Sequence, residues 1–217
     1  AISNRSYRNR AMFTYSTGLL DKKFALSFSA SRRWGNEGFV EATFYDAYSY
    51  FLSADYLIND QNALNFAVIG APTQRGRGSS SVQEMNDLSG SNYYNPNWGF
   101  QNGEKRNSRI YNTHQPIFML RHDLELNQDF SLSTTISYLT GRFGSSRLDW
   151  YNVSDPRPDY YRKLPSFYKD SPELQSFLTT QFQENVNTRQ INWDYLYFIN
   201  RNFIEDFEDA NGVEGAI

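Results

Sequence analysis

Arg32, Arg33 and Trp34 are consecutive, and two guanidinium groups beside an indole could hold an anionic or sugar-like ligand by charge-assisted hydrogen bonds and stacking. The plainer use of the same residues is structural, with the arginines pairing to neighbouring loops and the indole anchoring an interface. Tyr93, Tyr94, Asn97 and Trp98, interrupted by Pro96, make an aromatic, Asn-rich platform for a ligand, or simply a loop whose Asn residues favour tight turns. Arg8 and Arg10 are two residues apart and point to one side of an extended segment.

Catalytic chemistry finds little support. Cys is absent and there are two His residues, His114 and His122, so no catalytic constellation, metal site or cofactor site is expected. Gly76-Arg77-Gly78-Ser79-Ser80-Ser81 lacks the Lys-Ser/Thr ending of a phosphate cradle. Asp206, Glu208 and Asp209 near Gly212 miss the spacing of a calcium loop.

The 217 residues are 39% hydrophobic and 17% aromatic, with 16 Tyr, 17 Phe and 4 Trp. Mean hydropathy is −0.68, low for a globular core, yet a disordered chain would be poor in aromatics. A structure whose strands each show one apolar and one wet face reconciles the two. The net charge of −3 gives no reason to expect a nucleic-acid partner. No apolar run is long enough for a transmembrane helix, and residues 1–5 lack the apolar core of a signal peptide.

Six segments alternate with period two. Ala11, Phe13 and Tyr15 oppose Arg10, Thr14 and Ser16, and residues 18–23 read as the turn that follows. Phe24, Leu26 and Phe28 oppose Ala25, Ser27 and Ser29. Tyr48, Tyr50, Leu52 and Tyr56 oppose a mixed face of Ser49, Phe51, Ser53 and Asp55. Leu64, Phe66 and Val68 follow the turn at Asn59-Asp60-Gln61-Asn62. After about forty residues of loop come Phe118, Leu120 and Leu124, then, past Asn127-Gln128-Asp129, Leu132, Ile136 and Tyr138. A helix is predicted over 173–185, and residues 192–202 fit either a strand or a helix.

The connections alternate between short and long, as in outer-membrane barrels with clipped periplasmic turns and extended extracellular loops. Tyr15, Phe24, Tyr56 and Phe130 stand beside the short turns, and Tyr7, Tyr48 and Tyr138 near the long-loop ends, which predicts two aromatic girdles at membrane interfaces. Asn9 and His122 fall on the supposed lipid face and sit poorly with that register. A soluble antiparallel sheet with one wet face gives the same alternation but no reason for the one-sided loops.

Several stretches resemble the start of the barrel of Bacteroidetes-type TonB-dependent receptors, in the family's order. They are Tyr7-Arg8-Asn9-Arg10-Ala11-Met12-Phe13-Thr14-Tyr15, Ser31-Arg32-Arg33-Trp34-Gly35, Phe44-Tyr45-Asp46-Ala47-Tyr48, Gly70-Ala71-Pro72-Thr73-Gln74-Arg75-Gly76, Tyr94-Asn95-Pro96-Asn97-Trp98-Gly99 and Asn192-Trp193-Asp194-Tyr195.

The resemblance implies an all-β antiparallel transmembrane barrel of about 22 strands, closed by an internal plug on which TonB pulls. It implies energised nutrient uptake across the bacterial outer membrane, without catalysis. Residues 1–140 would hold the first six strands, with extracellular loops at about 31–47 and 71–114. Residues 141–217 would be a truncated, partly helical extracellular loop. Partners would be outer-membrane lipid, the plug and remaining strands of the same protein, TonB through the plug, a surface lipoprotein, and a transported ligand that the sequence does not name. Arg8 and Arg10 would face the lumen and touch the plug. A passive porin, or a soluble aromatic-rich module binding carbohydrate, are the rival expectations.

Overall fold

The computed structural model describes residues 7–151, 153–204, 206–208 and 214–216. In chain order the elements are β1 (Asn9–Leu20), β2 (Phe24–Gly35), β3 (Tyr45–Asn59), β4 (Asn62–Gly70), β5 (Thr73–Gly76), α1 (Gln83–Ser89), β6 (Trp98–Gln101), β7 (Glu104–Asn107), β8 (Ile110–His114), β9 (Ile117–Glu125), β10 (Ser131–Leu139), β11 (Arg142–Ser145), α2 (Pro172–Glu184), α3 (Trp193–Asn202), β12 (Asp206–Glu208) and β13 (Glu214–Ala216). The chain is mostly antiparallel β. It divides into two compact units. One comprises residues 1–39, 43–76 and 110–146, the other residues 40–42, 77–109 and 147–217.

The first unit is a meander of six long strands. β4 and β5 are one strand with a break at Ala71-Pro72, because both face β3 in the same register: Tyr50 opposes Gly70 and Ala47 opposes Thr73. The same holds for β8 with β9 across Gln115-Pro116, and for β10 with β11 across Thr140-Gly141. The three breaks lie side by side: Pro72 and Pro116 cannot donate to the ladder, and Thr140-Gly141 faces the second of them. Tyr48 N–H still reaches Pro72 O at 2.9 Å, and Thr140 N–H reaches Pro116 O at 3.3 Å. Tyr50 lies over Gly70, where an added Cβ would stand 2.3 Å from its ring, and its hydroxyl is 2.8 Å from His114 Nε2. The six predicted strands are therefore present but longer than the sequence suggests. The connecting loops shrink to residues 36–44 and 77–109, and the last begins after Ser145.

Two local features lengthen and close the first hairpin. Gly18 (φ 68°) opens a bulge between Ser16 and Leu19, so β1 continues to Leu20 where a turn had been predicted from residue 18. Thr17 Oγ1 fills the gap by accepting from Leu26 N at 3.0 Å. The turn itself is Leu20–Lys23, with Asp21 and Lys22 both left-handed (φ 46° and 54°) and Lys23 N donating to Leu20 O at 2.9 Å, a type I′ turn matched to strand twist. The other two short turns are held by Asn side chains. Asn59 Oδ1 accepts from Gln61 N at 3.0 Å, and Asn127 Oδ1 accepts from Asp129 N at 2.9 Å.

All three short turns close the same end of the meander. The long connections leaving its other end supply the second unit. Here α1, α2, Leu164 and Tyr94 gather around Met85 and Phe182, and Ile191, Trp193 and Leu196 pack with Leu148 and Trp150. Residues 193–202 are helical because Asn192 caps them, its Oδ1 accepting from Tyr195 N at 2.9 Å, and because Trp193, Leu196 and Ile199 fall on one buried face. α2 covers the predicted helix almost residue for residue. Asp209 and Gly212 of the discarded calcium motif lie outside the described residues.

Gly141 has φ 138°, and a Cβ there would stand 2.0 Å from His114 O, whereas one on Gly144 would meet Asn112 O at 3.7 Å. Gly141→Ala should lower unfolding stability by about 2–3 kcal/mol. Gly144→Ala should stay within about 0.5 kcal/mol, both read by equilibrium denaturant unfolding.

Candidate functional site

Residues directly paired across antiparallel strands lie on one face, so the register sorts the meander's side chains into two surfaces. One carries the rows Tyr15–Phe28–Leu52–Val68–Phe118–Tyr138 and Leu26–Ala54–Phe66–Leu120–Ile136. Apart from half-buried Val68, their large side chains are exposed, from 37% at Phe118 to 68% at Ile136. Among the described residues, the buried hydrophobic side chains of this unit are two alanines, Ala47 and Ala67.

The opposite face is mostly hydroxyls and charges, crossed by one apolar row, Phe51–Ile69–Ile117–Leu139. Thr14 meets Ser29 at 2.9 Å, Ser16 meets Ser27 at 2.8 Å, and Ser31 meets Ser49 at 2.6 Å. Asn65 donates to Asp55 at 2.6 Å and Arg121 to Asp123 at 2.8 Å. Polar residues on the apolar face find partners within it. His122 Nε2 is 3.1 Å from Asn62 Oδ1.

The structure separates the two arginines that the sequence placed together. Arg32 lies on the apolar face near the loop end. It forks both oxygens of Asp46, with Nε and Nη2 each at 2.9 Å, and its guanidinium lies 5.2 Å from the Trp34 ring and 4.9 Å from Tyr48. That is the structural use of Arg32 and Trp34. Arg33 lies on the polar face, opposite Arg10, with its guanidinium 5.9 Å from the Tyr7 ring. Arg10 shares that face and is exposed; Arg8 is exposed too but precedes β1, outside the register that sorts the faces.

The girdle assignment needs correction for three residues, the first being Tyr7, which packs against Arg33 and Tyr45 of the polar face. Phe24 and Tyr56 pair beside the short-turn end, Phe130 flanks the turn before β10, and Tyr48 lies at the loop end opposite Arg32. Tyr15 and Tyr138 stand instead in one mid-sheet row. β1 runs on past Tyr15 through its bulge, and the β10–β11 strand runs on past Tyr138.

In the second unit the Asn-rich segment is scaffolding, and the platform expected of Tyr93, Tyr94, Asn97 and Trp98 narrows to Tyr93, which is exposed. Asn95 is fully buried and donates to Glu41 O at 2.8 Å, while Asn97 and Asn107 both donate to Arg77 O, at 3.3 and 3.0 Å. Trp98 is buried edge-on to Phe100. Tyr94 is half-buried against the Met85 cluster and donates to Arg189 O at 2.8 Å. Burial, with the Asp159 charge adding to it, pushes its phenol well above the ordinary range.

One cluster in this unit escaped sequence reasoning. Arg106 stacks 4.2 Å from the Trp193 ring and donates at 2.6 Å to both Gln101 Oε1 and the Tyr197 hydroxyl, which lowers the Tyr197 pKa. The hairpin presenting Arg106 turns on Asn102-Gly103, both with positive φ, and the Asn-Gly pair is the sequence signal that would have revealed it.

No group of three or more metal-ligating carboxylates or histidines occurs among the described residues, and none of their helices is long and apolar enough to cross a membrane. Comparison with protein-family models, curated proteins and solved structures finds no match.

Because the folded state holds Tyr94 neutral, stability should be full below the ordinary tyrosine pKa of about 10 and fall as pH rises above it, when only the unfolded chain ionises. Tyr94→Phe should cost about 1 kcal/mol at neutral pH and remove its share of that alkaline loss, read by unfolding at pH 8 and pH 11.

Proposed function

We propose that this chain supplies part of the barrel wall and surface loops of a TonB-dependent outer-membrane receptor, taking up a nutrient ligand under energy from the inner membrane. The observation carrying the reading is the meander's uncovered apolar face, backed by a face of hydroxyls and charges. In water, exposing Phe28, Leu52, Leu120 and Ile136 together would forfeit the burial that stabilises a sheet. Against lipid the same surface is satisfied, and the hydroxyl ladder lines an aqueous lumen.

Strand length and edges agree with this reading. Strands of 12 to 15 residues measure about 40–50 Å, enough to cross a hydrocarbon core of about 30 Å at a tilt. Among the described residues β1 pairs only with β2, and β10 only with β9, so each outer edge has room for a further strand, which lipid requires of any spanning sheet. Clipped turns at one end and long connections at the other match periplasmic and extracellular sides. The plug, TonB, further strands and a surface lipoprotein enter as partners through the resemblance of the sequence to this family.

Leu120 and Thr135 separate the membrane reading from a soluble sheet, since both are solvent-accessible but lie on opposite faces. In lipid vesicles, Leu120→Arg should destabilise by about 2–4 kcal/mol, and Thr135→Arg by under about 1 kcal/mol. Equal, small effects of both would contradict the reading.

A further inference from the structure

The hydroxyl-lined face changes character at its loop end. Arg10, Arg33 and Arg75 all project there, and the surrounding positions of that face (Tyr45, Ala47, Thr73, Tyr111, Thr113 and Phe143) include no carboxylate. Among the described residues none of these three arginines forms an ion pair, although other arginines of the same sheet do: Arg32 with Asp46 and Arg121 with Asp123. Arg10 and Arg33 stand directly opposite each other across β1 and β2, an arrangement that like charges disfavour unless an anion lies between them.

A hollow opens beside these cations. It has a volume of about 260 Å³ and is lined by Tyr45, Thr73, Arg75, Tyr111, Thr113 and Phe143. The Arg75 guanidinium lies 5.7 Å from the Tyr111 ring, which meets Phe143 edge-on at 5.5 Å, and Tyr7 sits likewise between Arg33 and Tyr45. Rings against the guanidinium faces leave the in-plane N–H groups to fork an oxyanion, while four hydroxyls line the remaining wall.

We propose that this end of the polar face is a binding site for a small anionic ligand, carboxylate- or phosphate-bearing, held by Arg10, Arg33 and Arg75 with its body against Tyr45, Tyr111 and Phe143. The proposal rests on the reading of this face as the wet lumen wall, where a ligand entering between the loops would meet it. The occupant is a free ligand, not acidic side chains from another part of the same protein, which would fill the site permanently and leave added anions unbound.

The test is calorimetric titration of the intact receptor in detergent with citrate and with pyrophosphate, maltotriose serving as the neutral control. Both anions should bind, more weakly at higher salt, and maltotriose should not. The double variant Arg33→Gln/Arg75→Gln should weaken anion binding at least tenfold, the charge-conserving Arg33→Lys/Arg75→Lys should weaken it less, and Arg32→Gln, on the other face, should leave it within twofold. Failure of both anions to bind, or equal weakening by Arg32→Gln, would overturn the site. Failure alongside the Leu120/Thr135 contrast in lipid removes the site alone. Anion binding without that contrast keeps the site and removes the membrane reading.

Discussion

The pairing register is the constraint on which this structure depends. In an antiparallel sheet a slip of one residue sends every side chain to the opposite surface. Here one register runs unbroken from β1 to the β10–β11 strand, through three breaks and a bulge. It keeps Phe28, Leu52, Phe118 and their neighbours on one surface and Ser27, Ser53 and Asn65 on the other. The asymmetry between faces, and with it the reading as a barrel wall, follows from that alignment and not from any single motif.

Alternation made the strands legible. Phe24 to Ser31 and Phe130 to Tyr138 have almost no competing reading, and both are strands in the structure. The ends were harder to see. The stretch between Val68 and Phe118 read as loop, but the ladder resumes beyond Pro72 and runs up to Pro116 because neighbouring strands hold the register and a proline removes only one donor. Gly18 read as a turn and became a bulge, since a left-handed glycine serves either use. The short connection Gln101–Glu104 was hidden within a long polar stretch, although its Asn-Gly pair is a strong hairpin signal.

The candidate site was legible only in part. Arg32, Arg33 and Trp34 looked like one ligand clamp because they are adjacent, yet adjacency in a strand places neighbours on opposite faces. Asp46, which neutralises Arg32, is fourteen residues away across the hairpin. Arg75 and Arg33 share a face only through two intervening strand pairings, a relation no local pattern displays. In the second unit, Asn97 spends its amide on the Arg77 carbonyl, Tyr94 its hydroxyl on the Arg189 carbonyl, and Trp98 is buried, so residues read as ligand-facing are framework.

The central claim is that lipid covers alternate residues of these strands. Because the chain has no cysteine, single cysteines placed at each position from Phe24 to Ser31 in β2, in the protein reconstituted in vesicles, report that cover directly through a water-soluble thiol reagent. The account predicts a two-residue rhythm, with positions 25, 27, 29 and 31 modified and 26, 28 and 30 protected. Modification at every position, with no rhythm, would contradict it.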